Sequence, residues 1–451
     1  MTYEATMTYE SQKRAFTVLS VGEKVKLLRK HNRISQAMLA EIMKVRPERI
    51  VKVERGDDTY TEAHINAIKQ HLDIVELPLT NREFITFKER MYYWRELIRA
   101  RQLDEARAIR EEVVNINKIK PYDQNIVMLC KMMEVQLLLT EGNKDLAEEM
   151  LDMAKNDLDT VADECLVHYY FNKGLLYGKK KCYEECLDFS LKAYYLTKNH
   201  ENLLPEKDGW LYYNIAWCYS YIEIPYRAID FFKMAQQVTL RNSSATFTRS
   251  LNASIALNYI KTNQIKDAER LLSKIKVRAE SLKDDNYIGL ALYCYGYMYK
   301  QLENWASAIV YFDKALKCLD KDTDNYHASL YYKIYCTIHT RKFPKAKQQL
   351  DDAKAECSTN KPWSMYFEAL GHYLKISTCM TSRDNDESID YIENTVIPFI
   401  VKGHDYLGAV DYYNLLQKHY EKIKSTMKSL MMTVAIHDIY KRCYINQERN
   451  D

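Results

Sequence analysis

One small residue recurs along this chain at a nearly constant interval, and that interval sets what the chain can fold into. Ala106, Ala147, Cys186, Ala228, Ala268, Ala308 and Ala346 are separated by 41, 39, 42, 40, 40 and 38 positions, with weaker continuations at Ile389 and Lys428. A period near 40 holds two helices and a turn but no independent core, so each unit must bury its apolar face on the next. Within LYCYGYMYKQLENWASAIVYFDKAL, Gly296, Tyr299, Ala308, Phe312 and Ala315 fall at helical intervals. The neighbours keep the pattern: Gly174, Tyr177, Cys186 and Ala193; Ala216, Tyr219, Ala228, Phe232 and Ala235; Ala256, Tyr259, Ala268 and Leu272. Small residues let two helices approach, and aromatics fill the hollows between hairpins. Glycine (11) and proline (8) are scarce in the 451 residues, about 4 % against roughly 12 % in average usage. That shortage excludes collagen-like chains and argues against glycine-dependent nucleotide folds and turn-rich β-sandwiches. The fold predicted is all-α, with an N-terminal module of short helices before about nine hairpins.

The N-terminal module spans residues 16–76. Its charge differs from the rest: residues 13–76 carry a net +4, and the remainder a net −1. Val21, Val25 and Leu28 mark the apolar stripe of a first helix, and Ser35 N-caps a second with Leu39, Ile42 and Met43 inward. Pro47 opens a third, where its missing N–H costs nothing, and Gly56 stops it. Ile65, Ile68 and Leu72 mark a later helix. The stretch QAMLAEIMKVRPERIVKVERG resembles the helix-turn-helix of the Cro/repressor-like family, with Gln36, Leu39, Ala40, Val45, Ile50, Val53, Glu54, Arg55 and Gly56 in register. Arg29 and Glu54 match a family pair that buttresses the first helix against the third. Lys44 stands where the family has a turn glycine, so a non-glycine residue is expected at positive φ. The resemblance implies that the third helix enters the DNA major groove with its N-terminal residues on base edges. Glu48, Arg49 and Lys52, with Arg46 and Gln36 beside them, are then the candidate base readers, and Arg55 and Lys44 the candidate phosphate contacts. The competing reading is a solvated charged face on a small helical domain.

The G…Y…A…F…A skeleton resembles tetratricopeptide repeats, which implies a right-handed superhelical array with the first helix of each hairpin on a concave wall. The candidate peptide-binding residues on that wall are Phe171, Lys179, Trp210, Tyr213, Trp217, Tyr221, Tyr293, Tyr297, Tyr331 and Tyr335, flanked by Asn172, Asn214 and Asn414. An amide offers one acceptor and two donors and can grip the backbone of an extended peptide. Each asparagine reads equally as an inter-hairpin hydrogen bond, and the aromatic stripe equally as core packing; the 37 tyrosines suit both. The array is expected over 87–440, after a linker at 77–86 and a disordered leader at 1–15, with a polar tail at 441–451. The unit around residues 381–388 is the least regular.

Eleven scattered cysteines with no CxxC read as reduced core thiols in a cytosolic protein. No apolar run approaches 18 residues, and the start lacks the apolar stretch of a signal peptide. GxxxxGK[ST], GxGxxG and HExxH are absent, and the 11 histidines form no metal-like i, i+4 pair. No cofactor, metal site or enzymatic activity is expected.

A repressor-like helix-turn-helix joined to such an array is similar in architecture to the peptide-pheromone receptors of the Rap/NprR/PlcR/PrgX/AimR superfamily, and nearest in length to NprR-like members. The resemblance implies a cytoplasmic homodimer that binds double-stranded operator DNA at an inverted repeat and is switched by a short linear signalling peptide. Some relatives instead dock response-regulator proteins, and a phage lysis–lysogeny role shares the same chemistry. The dimer contacts are expected in the C-terminal hairpins, around Tyr412, Met431 and Met432.

Overall fold

The computed structural model describes residues 19–72, 80–117, 123–198, 209–239, 245–357, 361–378, 385–403 and 405–441. The expected leader (1–15) and all but the first residue of the polar tail lie outside them. Among the described residues the secondary structure is helical, and the chain divides into two compact units, Met1–Glu206 and Lys207–Asp451.

The first unit opens with α1 (Val21–His31), α2 (Gln36–Ile42), α3 (Pro47–Arg55) and α4 (Glu62–His71). Local chemistry sets their ends. The Ser20 hydroxyl accepts from the Glu23 backbone N–H while the Glu23 carboxylate accepts from the Ser20 N–H, the reciprocal cap that starts a helix. Ser35 caps α2, Pro47 sits in the first turn of α3, and Gly56 ends α3 at φ 89°. Lys44 adopts φ 56°, as its place at the family's turn glycine implies. Val25, Leu28, Leu39, Ala40, Ile50, Val53 and Ile68 form the module's core.

That core continues into the array. Phe84, Phe87, Met91 and Trp94 of α5 (Asn81–Arg99) belong to the same buried cluster. Residues 81–86, expected as linker, are therefore helix: the Thr80 hydroxyl and Glu83 carboxylate form a second reciprocal cap, and the periodicity of Phe84, Phe87 and Met91 carries it on. Charge reinforces the seam. Lys24 is 0 % exposed, 5.6 Å from the Phe84 ring centroid. Burial pulls its ammonium below the usual lysine range, opposed by the charges of Asp123 and Glu83. Lys69 donates to Glu83 at 2.5 Å.

Three hairpins complete the unit: α5 with α6 (Leu103–Asn117), α7 (Gln124–Glu141) with α8 (Lys144–Ala154), and α9 (Asp163–Lys179) with α10 (Tyr183–Lys198). The second unit pairs α11 (Gly209–Tyr221) with α12 (Pro225–Thr239), α13 (Ala245–Lys261) with α14 (Ile265–Leu282), α15 (Asp285–Gln301) with α16 (Trp305–Ala315), and α17 (Asp324–His339) with α18 (Phe343–Glu356). It ends with α19 (Lys361–Thr378), α20 (Asp386–Tyr391), α21 (Ile397–Lys402), α22 (Tyr406–Lys422) and α23 (Thr426–Tyr440). The seven small residues that set the period are all 0 % exposed. The eighth unit is irregular: Ile392–Val396 widens into a π-turn between α20 and α21, where Pro398 lacks the N–H that would bond back onto the Asn394 carbonyl. In the ninth unit the register lapses, because Lys428 is exposed on α23 and lies over the Tyr420 ring.

With so little glycine, the hairpin turns use other residues in the left-handed region. Arg101, Lys181, Glu223, Asn263, Glu303, Arg341 and Lys424 take φ between 58° and 61°, apart from Glu303 at 54°. Gly142 fills the equivalent turn at φ 92°.

Candidate functional site

The helix-turn-helix is held by one buried ion pair. Arg29 donates from Nε to Glu54 Oε1 at 2.6 Å and from Nη2 to Oε2 at 2.9 Å, a bidentate fork, and from Nη1 to the Ile34 carbonyl at 3.0 Å. Gln36 Nε2 donates to Glu54 Oε2 at 2.9 Å. Burial alone raises the Glu54 carboxyl, but the bonds from Arg29 and Gln36 outweigh it and hold the group below its ordinary value. Gln36, expected at the DNA, is thus engaged inside the module. Arg49 is engaged too: its Nε donates to Asp58 at 3.0 Å and its Nη2 to the Thr59 carbonyl at 3.3 Å, directing it toward the α3–α4 loop. Lys44, Arg46, Glu48, Lys52 and Arg55 are exposed and, among the described residues, form no ion pair. Glu48, Lys52 and Arg55 share one face of α3, opposite the buried Ile50, Val53 and Glu54.

The proposed wall residues divide between the units. In the first, Phe171 is buried beneath the Arg99 guanidinium, 5.8 Å from its ring centroid. Asn172 is buried and donates to the Met132 carbonyl at 2.7 Å, leaving Oδ1 without a hydrogen bond. Lys179 is exposed; burial of its stem and the nearby charges of Arg101 and Lys144 lower its pKa.

In the second unit, Trp210 and Tyr213 pack on Phe247, and Trp217 packs against Tyr221 at 4.4 Å. Asn214 is buried and Asn414 half-buried. Tyr293 and Tyr297 adjoin each other, and Tyr297, Tyr331 and Tyr335 are buried. Tyr331 Oη lies 2.9 Å from Tyr412 Oη, joining α17 to α22. Tyr412 is therefore buried, and the expectation that it contributes to an exposed dimer face is corrected. Met431 is exposed and Met432 half-buried.

Sequence reasoning missed the charges among these tyrosines. Lys300 donates to Asp411 Oδ2 at 2.8 Å and lies 5.2 Å from the Tyr335 ring centroid and 5.7 Å from that of Tyr332. Lys261 donates to Glu223 Oε1 at 2.8 Å. Asp405 caps α22 by accepting from the Gly408 N–H at 2.9 Å. Its charge adds to burial in raising Tyr293, Tyr297, Tyr332 and Tyr366. Helices α15, α17, α19 and α22 turn tyrosine-rich faces toward one another. Tyr332, beside Tyr331 in the stripe, was within reach of sequence reading; Asp411 lies 111 residues from the Lys300 it meets.

No family model matches the chain. It is 22 % identical over 380 residues, 82 % of this chain and 91 % of the relative, to the transcriptional activator NprA of Geobacillus stearothermophilus. Among solved structures it resembles a Rap protein complexed with competence and sporulation factor, with TM-score 0.64, 15 % identity and coverage of 80 % of this chain and 99 % of that one. It also resembles NprR in complex with its cognate peptide NprX, with TM-score 0.61, 20 % identity and coverage of 78 % and 99 %. At these identities the likeness establishes the fold.

Proposed function

We propose that this chain, which shares its fold with Rap and NprR, is a transcription regulator switched by a short signalling peptide. One observation carries the reading: a complete, ion-pair-buttressed helix-turn-helix presents Lys44, Arg46, Lys52 and Arg55 without ion pairs and shares its core with a helical-repeat array. In this reading α3 enters the major groove, Lys52 and Glu48 meet base edges, and Lys44, Arg46 and Arg55 meet phosphates. Gln36 and Arg49 act indirectly, by setting the pose of α3.

The peptide lies against the tyrosine-rich faces of the second unit, where Asn214, Tyr213, Trp217, Tyr221 and Tyr293 offer polar grips and apolar pockets. Support comes from NprR, solved with a cognate peptide. The protein acts in the cytoplasm as a homodimer, which lets two recognition helices meet successive major grooves. The pairing face is on α23, where Met427, Leu430, Met431 and Val434 are exposed at i, i+3, i+4 and i+7 spacing. Such a row is an apolar stripe awaiting another helix.

The test is selection from random duplex DNA at fixed salt with the full chain. The expected result is enrichment of an inverted repeat with half-sites about one helical turn apart. Failure to enrich any sequence, at a salt concentration where weak non-specific binding is measurable, overturns the reading. The likeness to Rap supports a second function, a scaffold that docks a response-regulator protein. Pull-down of purified response regulators by a chain without DNA affinity is the outcome that favours it.

A further inference from the structure

Helix α14 sorts its charges. Ala268, Leu272, Ile275 and Ala279 are buried, toward α13 and α15. On the opposite face Lys266, Arg270, Lys274 and Arg278 follow one another at intervals of four residues, all exposed, with the 66 % exposed Val277 among them. Glu269 and Glu280 stand together on a flank, about 100° of helix rotation from that row, and Lys276 beside them lies 3.8 Å from Glu280. Asp267 reaches the row at its edge, where it accepts from Arg270 Nη2 at 2.9 Å, yet the Arg270 side chain remains 71 % exposed. Lys266, Lys274 and Arg278 form no ion pair among the described residues.

The row works against the helix that carries it. Like charges four residues apart repel, and an acid at one of those positions would turn repulsion into attraction; the two glutamates sit on the flank instead. Nor does the row follow from a basic body, because the chain outside residues 13–76 carries a net −1. Successive cations rise by about 6 Å, so the row is a line of positive charge about 18 Å long. That shape suits a stiff polyanion whose charge repeats along its length. Duplex DNA places a phosphate about every 3.4 Å along each strand, and both arginine and lysine bind phosphate oxygens.

We propose that the exposed face of α14 is a second, sequence-independent DNA contact, on which Lys266, Arg270, Lys274 and Arg278 neutralise backbone phosphates. It makes no use of α3 and goes beyond the operator reading: phosphate contacts hold a protein on duplex of any sequence, whereas base edges supply the choice of site. The contact raises affinity for all duplexes alike and concentrates the protein on DNA before an operator is met.

Fluorescence anisotropy of the full-length protein on a random-sequence duplex, at salt from about 50 to 200 mM, tests this. The quadruple variant Lys266→Gln/Arg270→Gln/Lys274→Gln/Arg278→Gln keeps good helix formers. It should make the slope of log K against log salt shallower by about 3 to 4, since each neutralised phosphate contributes about 0.9. Its melting temperature should equal or exceed that of the wild type, because like-charge repulsion is gone, and the change in slope should recur in the Lys52→Glu background. An unchanged slope in the quadruple variant refutes the surface. So does polyglutamate that competes as well as duplex at equal charge, a result that assigns the row to an acidic protein. Operator enrichment by the wild type together with an unchanged slope leaves the recognition helix standing without this surface; a shallower slope with no enriched sequence does the reverse.

Discussion

Replacing Glu54 by alanine tests the physical core of the DNA-binding module. The carboxylate accepts three donors, two from Arg29 at 2.6 and 2.9 Å and one from Gln36 at 2.9 Å, with side-chain exposures of 3 % for Glu54 and 11 % for Arg29. Removing one partner of a pair buried to this degree leaves an uncompensated charge and costs about 3–5 kcal/mol. Arg29 keeps only the Ile34 carbonyl, so Glu54→Ala should fall within that range. The module shares its apolar cluster with Met91, Trp94 and Ile126, so the loss should appear in the unfolding of the first unit and not as local fraying. Urea titration followed by circular dichroism measures it, with DNA binding by fluorescence anisotropy in parallel. The double variant Arg29→Ala/Glu54→Ala should lose clearly less than the sum of the singles, because neither leaves the other charge stranded. The Glu54 carboxyl is held below its unfolded value, so this stability is present above the unfolded pKa and is lost as the pH falls through the folded one. A loss below about 1 kcal/mol in Glu54→Ala, or strict additivity in the double variant, would refute the reasoning.

Lys52→Glu should abolish sequence-specific DNA binding without changing the melting temperature, whereas Arg49→Glu should lower both, because Arg49 holds Asp58 and Thr59; gel shifts at matched salt and thermal melts separate the two. Burial pulls the His339 imidazole down to about 4, outweighing the charge of Asp411. Between about 6.5 and 4 the unfolded chain therefore binds the extra proton, and stability falls as the pH drops, by about 3 kcal/mol at 1.36 kcal/mol per pK unit. His339→Gln should show that much less loss than the wild type between pH 7 and 4, and parallel pH profiles would count against it. Leu430→Glu with Met431→Lys on α23 should convert a dimer to a monomer by light scattering, and an unchanged mass would move the pairing face elsewhere.

Much of the helix-turn-helix was legible because its determinants are local. Ser35, Pro47 and Gly56 act on backbone groups within four residues, and Arg29 with Glu54 was readable as a pair from the family pattern. The partners of Gln36 and Arg49 were not legible. Both sit at positions that face outward on a helical wheel, and only the fold brings Glu54 to one and Asp58 to the other. The interior follows the same logic. A tyrosine stripe at helical spacing is visible in sequence, but Tyr331 meets Tyr412 across 81 residues and Lys300 meets Asp411 across 111.

By itself, the sequence determined the repeating unit. A small residue every 40 or so positions sits wherever two helices cross closely, and each of the seven is fully buried, because a larger side chain there would force the helices apart. The same periodicity dictated that the chain be all-helical, and the scarcity of glycine forced charged side chains into the left-handed turns. Tertiary structure alone decided which of those turns points inward and which tyrosines spend their hydroxyls on each other. Burial of one helix face is encoded within a single turn of helix, whereas contacts between hairpins two or three apart depend on rotations accumulated over every unit between them, and no local pattern records that sum.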